Sequence, residues 1–213
     1  MKVKKELKPL WQGFLRLVIY GLAVLLLAEF MLWEAAATVG EVKFTEASYL
    51  EYAQALFLLV SCIILGVIYK RYPHYRYMAA LMFGFLGASF IREQDVYFER
   101  YLGYGTWQIP VYILLALVLY NVIKNFNTFL RQLEKYLSTA SFGLFLMGML
   151  TTYVFSRLFG RTKFWEAVME EQYFRSVKNT AEECLELYGY MVLLIGVIEL
   201  FLLAKRKSRV KPL

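Results

Sequence analysis

Long apolar segments alternate with short polar ones along the chain. Six of these apolar segments are long enough to cross about 30 Å of hydrocarbon, at a helical rise of about 1.5 Å per residue. They run over residues 11–33, 51–69, 77–95, 107–123, 138–156 and 183–204. Trp11 and Trp33 bracket the first segment, as aromatic side chains at a membrane interface do. The pattern predicts an all-α integral membrane protein, a bundle of six transmembrane helices.

Lysine and arginine are divided unevenly between the two ends of these segments. One set comprises Lys2, Lys4, Lys5, Lys8, Lys70, Arg71, Arg76, Lys124, Arg131, Lys135, Lys205, Arg206, Lys207, Arg209 and Lys211. The positive-inside rule places this richer set, and with it both termini, in the cytoplasm. We therefore expect a multi-pass protein of the plasma (cytoplasmic) membrane, in a bacterium.

Composition supports a lipid environment and a single domain. Of the 213 residues, 60% are hydrophobic and 19% are charged, whereas a soluble domain carries about a quarter charged residues. The net charge of +7 could indicate nucleic-acid binding, but the basic residues lie between apolar segments, where they encode topology. No linker rich in Pro, Gly or Ser divides the chain, so residues 1–213 are predicted to form one polytopic transmembrane domain.

The longest polar segment, residues 157–181, forms the outer loop between spans 5 and 6 in this topology. Apolar residues recur within it at helical spacing, with charged residues between them. They are Phe164, Trp165, Val168, Met169, Tyr173 and Val177. This pattern predicts a short amphipathic helix on the membrane surface. The helix is either a connector in the interface, a lid over a site, or a surface that docks a partner protein.

Small residues recur on one face of four spans, and such faces are where membrane helices pack closely. They are Ala55, Cys62 and Gly66; Ala80, Gly84 and Ala88; Ser141, Gly148, Thr152 and Ser156; and Gly189 and Gly196. Polar residues continue these faces or their flanks toward the outer surface, at about 100° per residue. They are Glu51, Gln54, Arg92, Asp95, Arg157, Glu182 and Glu186. We predict that they converge near the outer face, while Glu93 points away from it.

Some of these carboxylates also fit ordinary structural roles. Ser48 with Glu51, and Thr180 with Glu183, have the spacing of a capping box at a helix N-terminus. Glu186 is harder to explain, because it lies about one turn deeper, where an unpaired charge is costly. Two solutions remain open. Arg92 and Arg157 neutralise Asp95 and Glu186 and clamp the helices together, or these groups form a ligand site that is satisfied only when a solute binds.

Signatures of familiar chemistry are missing from the sequence. His74 is the only histidine, which argues against histidine-based catalysis, haem ligation by two histidines and histidine-rich metal sites. No phosphate-binding glycine loop or nucleophile motif occurs. We expect no cofactor and no dedicated metal site, and we lean against an enzyme.

Three functions therefore remain open. The first is a protein that binds or translocates a small polar or ionic solute at the outer carboxylate/arginine cluster. The second is a non-catalytic partner subunit or scaffold of a membrane complex, docking through residues 157–181. The third is a membrane enzyme that acts on lipid headgroups.

Overall fold

The computed structural model describes residues 2–37 and 48–210, and within these ranges it contains helices and no strand. The chain divides into two compact units, Met1–Lys43 and Phe44–Leu213. The first unit contains α1 (Lys2–Ala37), whose segment Leu10–Ala37 is long and apolar enough to span a membrane. Most large apolar side chains of that segment are exposed, among them Phe14, Leu17 and Leu26. Lipid is the solvent such a helix requires.

The second unit is a bundle of long helices joined by short ones. Its elements are α2 (Tyr49–Arg71), α3 (Arg76–Arg92), α4 (Asp95–Leu102), α5 (Gln108–Lys124), α6 (Phe126–Leu137), α7 (Ala140–Met149), a π-helical turn (Leu150–Phe155), α8 (Ser156–Phe159), α9 (Thr162–Met169) and α10 (Arg175–Val210). Short 3₁₀ turns lie at Pro73–Tyr75 and Glu170–Gln172. Only the first part of the predicted amphipathic helix forms, as α9, which ends at Met169 where Glu170 takes a positive φ of 49°. Of the other residues in the prediction, Tyr173 lies after a 3₁₀ turn and Val177 lies in α10.

Four helical segments of the described residues are long and apolar enough to cross a membrane: Leu10–Ala37, Tyr49–Arg71, Ala140–Phe159 and Arg175–Ser208. A fifth is obtained if α5 and α6 are counted as one span, although they meet at an angle of 95°. The prediction of the third span, 77–95, is wrong at its C-terminal end, because α3 ends at Arg92 and a turn follows. The described part of the chain is all-helical, with four or five helices long and apolar enough to span a membrane.

The last helix, α10, packs against α2 and α7, α2 packs on α3, and α3 packs on α5. The core lies along these contacts and is built from side chains such as Leu58, Leu65, Met82, Leu193 and Val197. This packing requires regular helices, because apolar side chains in solvent-exposed loops could not make these contacts. The small-residue faces predicted from the sequence make the close approaches possible.

Glycine is required where α7 and α10 touch. A Cβ on Gly148 would lie 2.7 Å from Leu193 Cγ and 2.9 Å from the Leu193 backbone nitrogen. A Cβ on Gly196 would lie 3.0 Å from the Phe145 backbone nitrogen. Because backbone atoms cannot move aside as a flexible side chain can, these positions fix the spacing of the two helices. The predicted packing faces of spans 5 and 6 are therefore confirmed.

The bundle has two chemically different ends. The basic end comprises the C-termini of α2 and α10, the start of α3, and α6, and it carries Lys70, Arg76 and Lys207. There the buried Gln132 of α6 accepts hydrogen bonds from the backbone N–H groups of Tyr77 (2.9 Å) and Met78 (3.3 Å). Its amide nitrogen donates to the Pro73 carbonyl at 2.9 Å. Gln132 thereby satisfies free N–H groups at the start of α3.

Candidate functional site: the acidic end

The acidic end of the bundle is formed by the start of α2, the end of α3, α8 and the first turns of α10. Six of its polar residues form the acidic-end cluster: Gln54, Glu93, Arg157, Glu182, Glu183 and Glu186. Helix α10 begins at Arg175, two turns earlier than the predicted span. The predicted capping box at Thr180 is therefore wrong, because Thr180 lies inside a helix. The extension places Glu182, Glu183 and Glu186 on continuous helix.

Arg157 connects α8 to two of these carboxylates. Its Nη1 lies 2.6 Å from Glu182 Oε1, and its Nη2 lies 2.9 Å from Glu186 Oε1. Lys178 completes the group, with its Nζ 2.8 Å from the second oxygen of Glu182. The Arg157 side chain is 43% exposed, whereas that of Glu186 is only 4% exposed. The guanidinium therefore faces the surface and reaches inward to a buried carboxylate.

The π-helical turn determines where Arg157 lies. A π turn takes in one residue more than an α turn, so residues beyond it are rotated by about 100° relative to an uninterrupted α-helix. Thr152, within this turn, is buried, and Ser156, the first residue after the turn, is fully buried. The Ser156 hydroxyl donates to the Thr152 carbonyl. Arg157 follows Ser156, so the same rotation places Arg157 on the side of the helix that faces α10.

Gln54 enters the interior from α2. Its Nε2 donates to the Glu183 carboxylate at 3.1 Å, and its side chain is fully buried. The Ser48 hydroxyl accepts from the Glu51 backbone N–H at 3.3 Å, which confirms that half of the predicted capping box. The Ser48 cap at the start of this helix is therefore confirmed, whereas the predicted ligand-binding role of Gln54 stays a prediction.

Glu93 also faces the interior, contrary to the prediction that it points away. Its carboxylate accepts a hydrogen bond from the Tyr190 hydroxyl at 2.8 Å. The projection at about 100° per residue failed here because the helix ends at Arg92 and Glu93 begins a turn. Tyr153 extends the network, with its hydroxyl 2.7 Å from that of Ser89 and its ring edge-on to Tyr190.

Arg92 and Asp95 do not join the cluster through direct contacts. Arg92 is exposed, and it interacts electrostatically with Glu93, Glu186 and Asp95. Neither side chain makes a hydrogen bond or an ion pair within the part of the chain that the structure describes. Asp95 is the first residue of α4, where a carboxylate is favoured by the helix dipole. The predicted pairing of Arg92 with Asp95 is thus not formed, and Glu93 takes the interior position expected for Asp95.

A small cavity of about 60 Å³ opens beside the cluster between α2, the turn at Glu93 and Gln94, and α4. It is lined by Glu51, Tyr52, Glu93, Gln94, Val96, Tyr97 and Arg100. Its size suits a few water molecules or a compact ion. The hydroxyls of Tyr52 and Tyr97 lie 3.3 Å apart. Glu93 therefore belongs both to the cavity wall and to the buried network.

Several buried acceptors of the acidic end lack a hydrogen bond. Within residues 2–37 and 48–210, Gln54 Oε1 and Thr152 Oγ1 have no hydrogen-bond partner. Glu186 Oε1 has an ion-pair contact with Arg157 but no hydrogen bond of acceptable geometry. Most buried polar groups in proteins are hydrogen-bonded, so each of these unpaired atoms lowers the stability of the fold. The acidic end can therefore accept additional hydrogen-bond donors.

The sequence reasoning missed Glu93, Glu183 as the partner of Gln54, Tyr153, Tyr190 and Arg100. In residues 2–37 and 48–210, no three His, Cys, Asp or Glu side chains are grouped so that they could hold a metal ion. Comparisons with protein-family models, with curated proteins and with solved structures found no match to this chain.

Proposed function

We propose that the chain is a six-span protein of a bacterial plasma membrane, with both termini in the cytoplasm, and that its acidic end binds and translocates a small polar or ionic solute. α3 and α5 supply the two further spans. Each has 17 residues and so covers about 26 Å, close to the thickness of the hydrocarbon core. The concentration of lysine and arginine at the opposite end supports the orientation.

Glu93 is the observation that carries this proposal. Its carboxylate lines the cavity and also accepts the Tyr190 hydrogen bond. A solute that enters the cavity would meet a carboxylate that is tied to α10 through Tyr190. Binding of the solute at the surface would then alter the contacts of the buried Tyr190–Tyr153–Ser89 network.

The charges around the cavity favour a solute that carries a positive group with N–H donors. Glu51 and Glu93 line the cavity together with a single cation, Arg100. Glu183 and Glu186 interact electrostatically with Glu93 from α10. Carboxylates are acceptors only, so a donor-bearing cation complements them, and a simple anion does not. A zwitterion could use Arg100 for its carboxylate.

The test is the thermal stability of purified protein with methylammonium, glycine or acetate, which represent a cation, a zwitterion and an anion. Methylammonium or glycine should raise the Tm of the wild type, and Glu93→Gln should abolish the shift because the amide removes the charge and keeps the shape. Glu171→Gln is the matched control, since Glu171 is exposed on the same side of the chain and outside the cavity. Stabilisation by acetate alone, or an unchanged shift in Glu93→Gln, would contradict the proposal.

A second function, a partner subunit of a membrane complex, is favoured by the surface of α9 and the segment after it. Phe164, Val168 and Phe174 are 43%, 60% and 53% exposed. Phe159, Phe164 and Trp165 form a ring cluster, anchored by a 2.8 Å hydrogen bond from Trp165 Nε1 to the Phe159 carbonyl. This supports a rigid apolar surface suited to a partner. Under this proposal Val168→Glu lowers the mass of the complex isolated in mild detergent, and Glu93→Gln leaves it unchanged.

A further inference from the structure

An apolar groove far from the acidic end runs between α2, α3 and α5. Its volume is about 270 Å³, and its walls include Gly66, Ala80, Phe83 and Val118. Nearly all of the lining is hydrocarbon. The groove lies beside the C-terminal turns of α2, with Lys70 at its rim. It shares no residue with the acidic-end cluster or its cavity.

The groove is open because two helices carry small residues there. A Cβ on Gly66 would meet no atom within 4 Å, so the space above this residue is empty. The neighbouring face of α3 behaves differently, since a Cβ on Gly84 would lie 2.9 Å from Val118 Cγ1. Gly84 therefore closes a helix contact, whereas Gly66 leaves a gap. A gap of this kind on an apolar face accommodates an alkyl chain without displacing protein atoms.

One end of the groove is polar and cationic. The Tyr69 hydroxyl accepts a 3.0 Å hydrogen bond from the Asn121 side chain. The Arg76 guanidinium lies 5.7 Å from the centre of the Tyr69 ring and donates to the Tyr69 carbonyl at 3.0 Å. Lys70 and Lys124 are exposed nearby at the ends of α2 and α5. Within the described residues, none of these three cations forms an ion pair.

We propose that this groove binds an anionic phospholipid, with one acyl chain along Gly66 and Ala80 and the phosphate beside Lys70. Gly66 lies one helical turn, about 6 Å, from Lys70, so the apolar space begins directly below the charge. A phospholipid combines the same two parts, an apolar chain next to a charged headgroup, and basic pockets between transmembrane helices bind anionic headgroups. The groove's position at the basic end also matches the surface where anionic lipids attract lysine and arginine. This inference does not depend on the proposed solute site.

The test is native mass spectrometry of the full chain in detergent with dioleoyl phosphatidylglycerol or dioleoyl phosphatidylcholine, which differ only in the headgroup. The wild type should retain more phosphatidylglycerol than phosphatidylcholine. Lys70→Gln should lower that preference about fivefold, since one basic residue near an anionic headgroup is worth about that factor. Gly66→Leu should remove the bound lipid of either kind, because the side chain fills the groove.

The matched control is Gly143→Leu. Gly143 is an exposed helical glycine with no atom within 4 Å of an added Cβ, and it lies outside the groove. It should bind both lipids as the wild type does. Equal retention of the two lipids by the wild type, or undiminished retention by Gly66→Leu, would overturn the proposal. Stabilisation by soluble glycerol 3-phosphate equal to that by the lipid would show that a free phosphate ester, and not a lipid, is recognised.

Discussion

The two ends of the bundle use their buried polar side chains in opposite ways. At the basic end, Gln132 makes three hydrogen bonds to backbone atoms, and the Tyr75 hydroxyl accepts one from Lys207 at 2.6 Å. At the acidic end, Gln54 and Glu186 each have a buried oxygen that receives no hydrogen bond from the part of the chain that the structure describes. Within the described chain, both side-chain polar atoms of Gln132 are therefore hydrogen-bonded, whereas Gln54 and Glu186 each have one that is not.

This difference distinguishes buried polar residues that have a structural role from those that are candidates for a functional role. Gln132 contacts backbone groups that would otherwise lack partners, so its role is explained within the fold. The ion pairs of Arg157 join side chains, and buried charge pairs contribute little net stability compared with apolar packing. Stability alone does not account for collecting Glu93, Glu183 and Glu186 at one place. The comparison therefore directs the search for a ligand to the acidic end.

Gln132→Ala tests the structural side of the comparison and should have the largest effect. It removes three hydrogen bonds and leaves buried backbone groups of α3 without partners, which we expect to cost about 3 kcal/mol of unfolding free energy. Asn127→Ala is the control, because Asn127 is exposed on the same helix. Unfolding of both variants in mixed micelles measures the effect. If the two variants lost equal stability, Gln132 would not be a structural anchor.

Arg157→Gln and Glu186→Gln, singly and together, test the charged side. Arg157→Gln leaves the Glu186 carboxylate buried without its counter-charge and should cost about 2 kcal/mol, less than a fully buried pair because Arg157 is half-exposed. The double variant should cost no more than Arg157→Gln alone. Lys178→Gln removes only a surface pair with Glu182 and should cost less than about 0.5 kcal/mol. Strictly additive losses would show that Arg157 and Glu186 are not energetically coupled.

Thr152→Val gives the smallest and most specific contrast. The Thr152 hydroxyl is buried and has no hydrogen-bond partner among the described residues, so a valine of similar shape should leave stability within about 0.5 kcal/mol of the wild type or raise it. Ser141→Ala should cost about 1 kcal/mol, since the Ser141 hydroxyl donates to the Gly196 carbonyl at 2.7 Å. A large loss in Thr152→Val would mean that this hydroxyl has a partner at the acidic end.

The long helices and their packing faces could be predicted because both follow from periodicity along a single segment. The glycines of α7 and α10 are examples, since close packing requires small side chains at regular spacing. Glu93 could not be placed in this way, because its direction depends on a turn after Arg92 that periodicity does not show. Nor could Gln132, whose partners lie more than fifty residues away in the sequence. Features set by turns and by distant backbone atoms need the structure.

The extra residue in the π-helical turn at Leu150–Phe155 links helix register to the closure of the acidic-end cluster. If this turn relaxed to an α turn, α8, which follows it directly, would rotate by about 100° relative to α7 and to α10, which packs on α7. Arg157 would then leave both carboxylates together, so Glu186 would lose its ion-pair partner and Glu182 would keep only Lys178. A single local change in helix register would therefore open the ion-pair network and leave it with more negative charge.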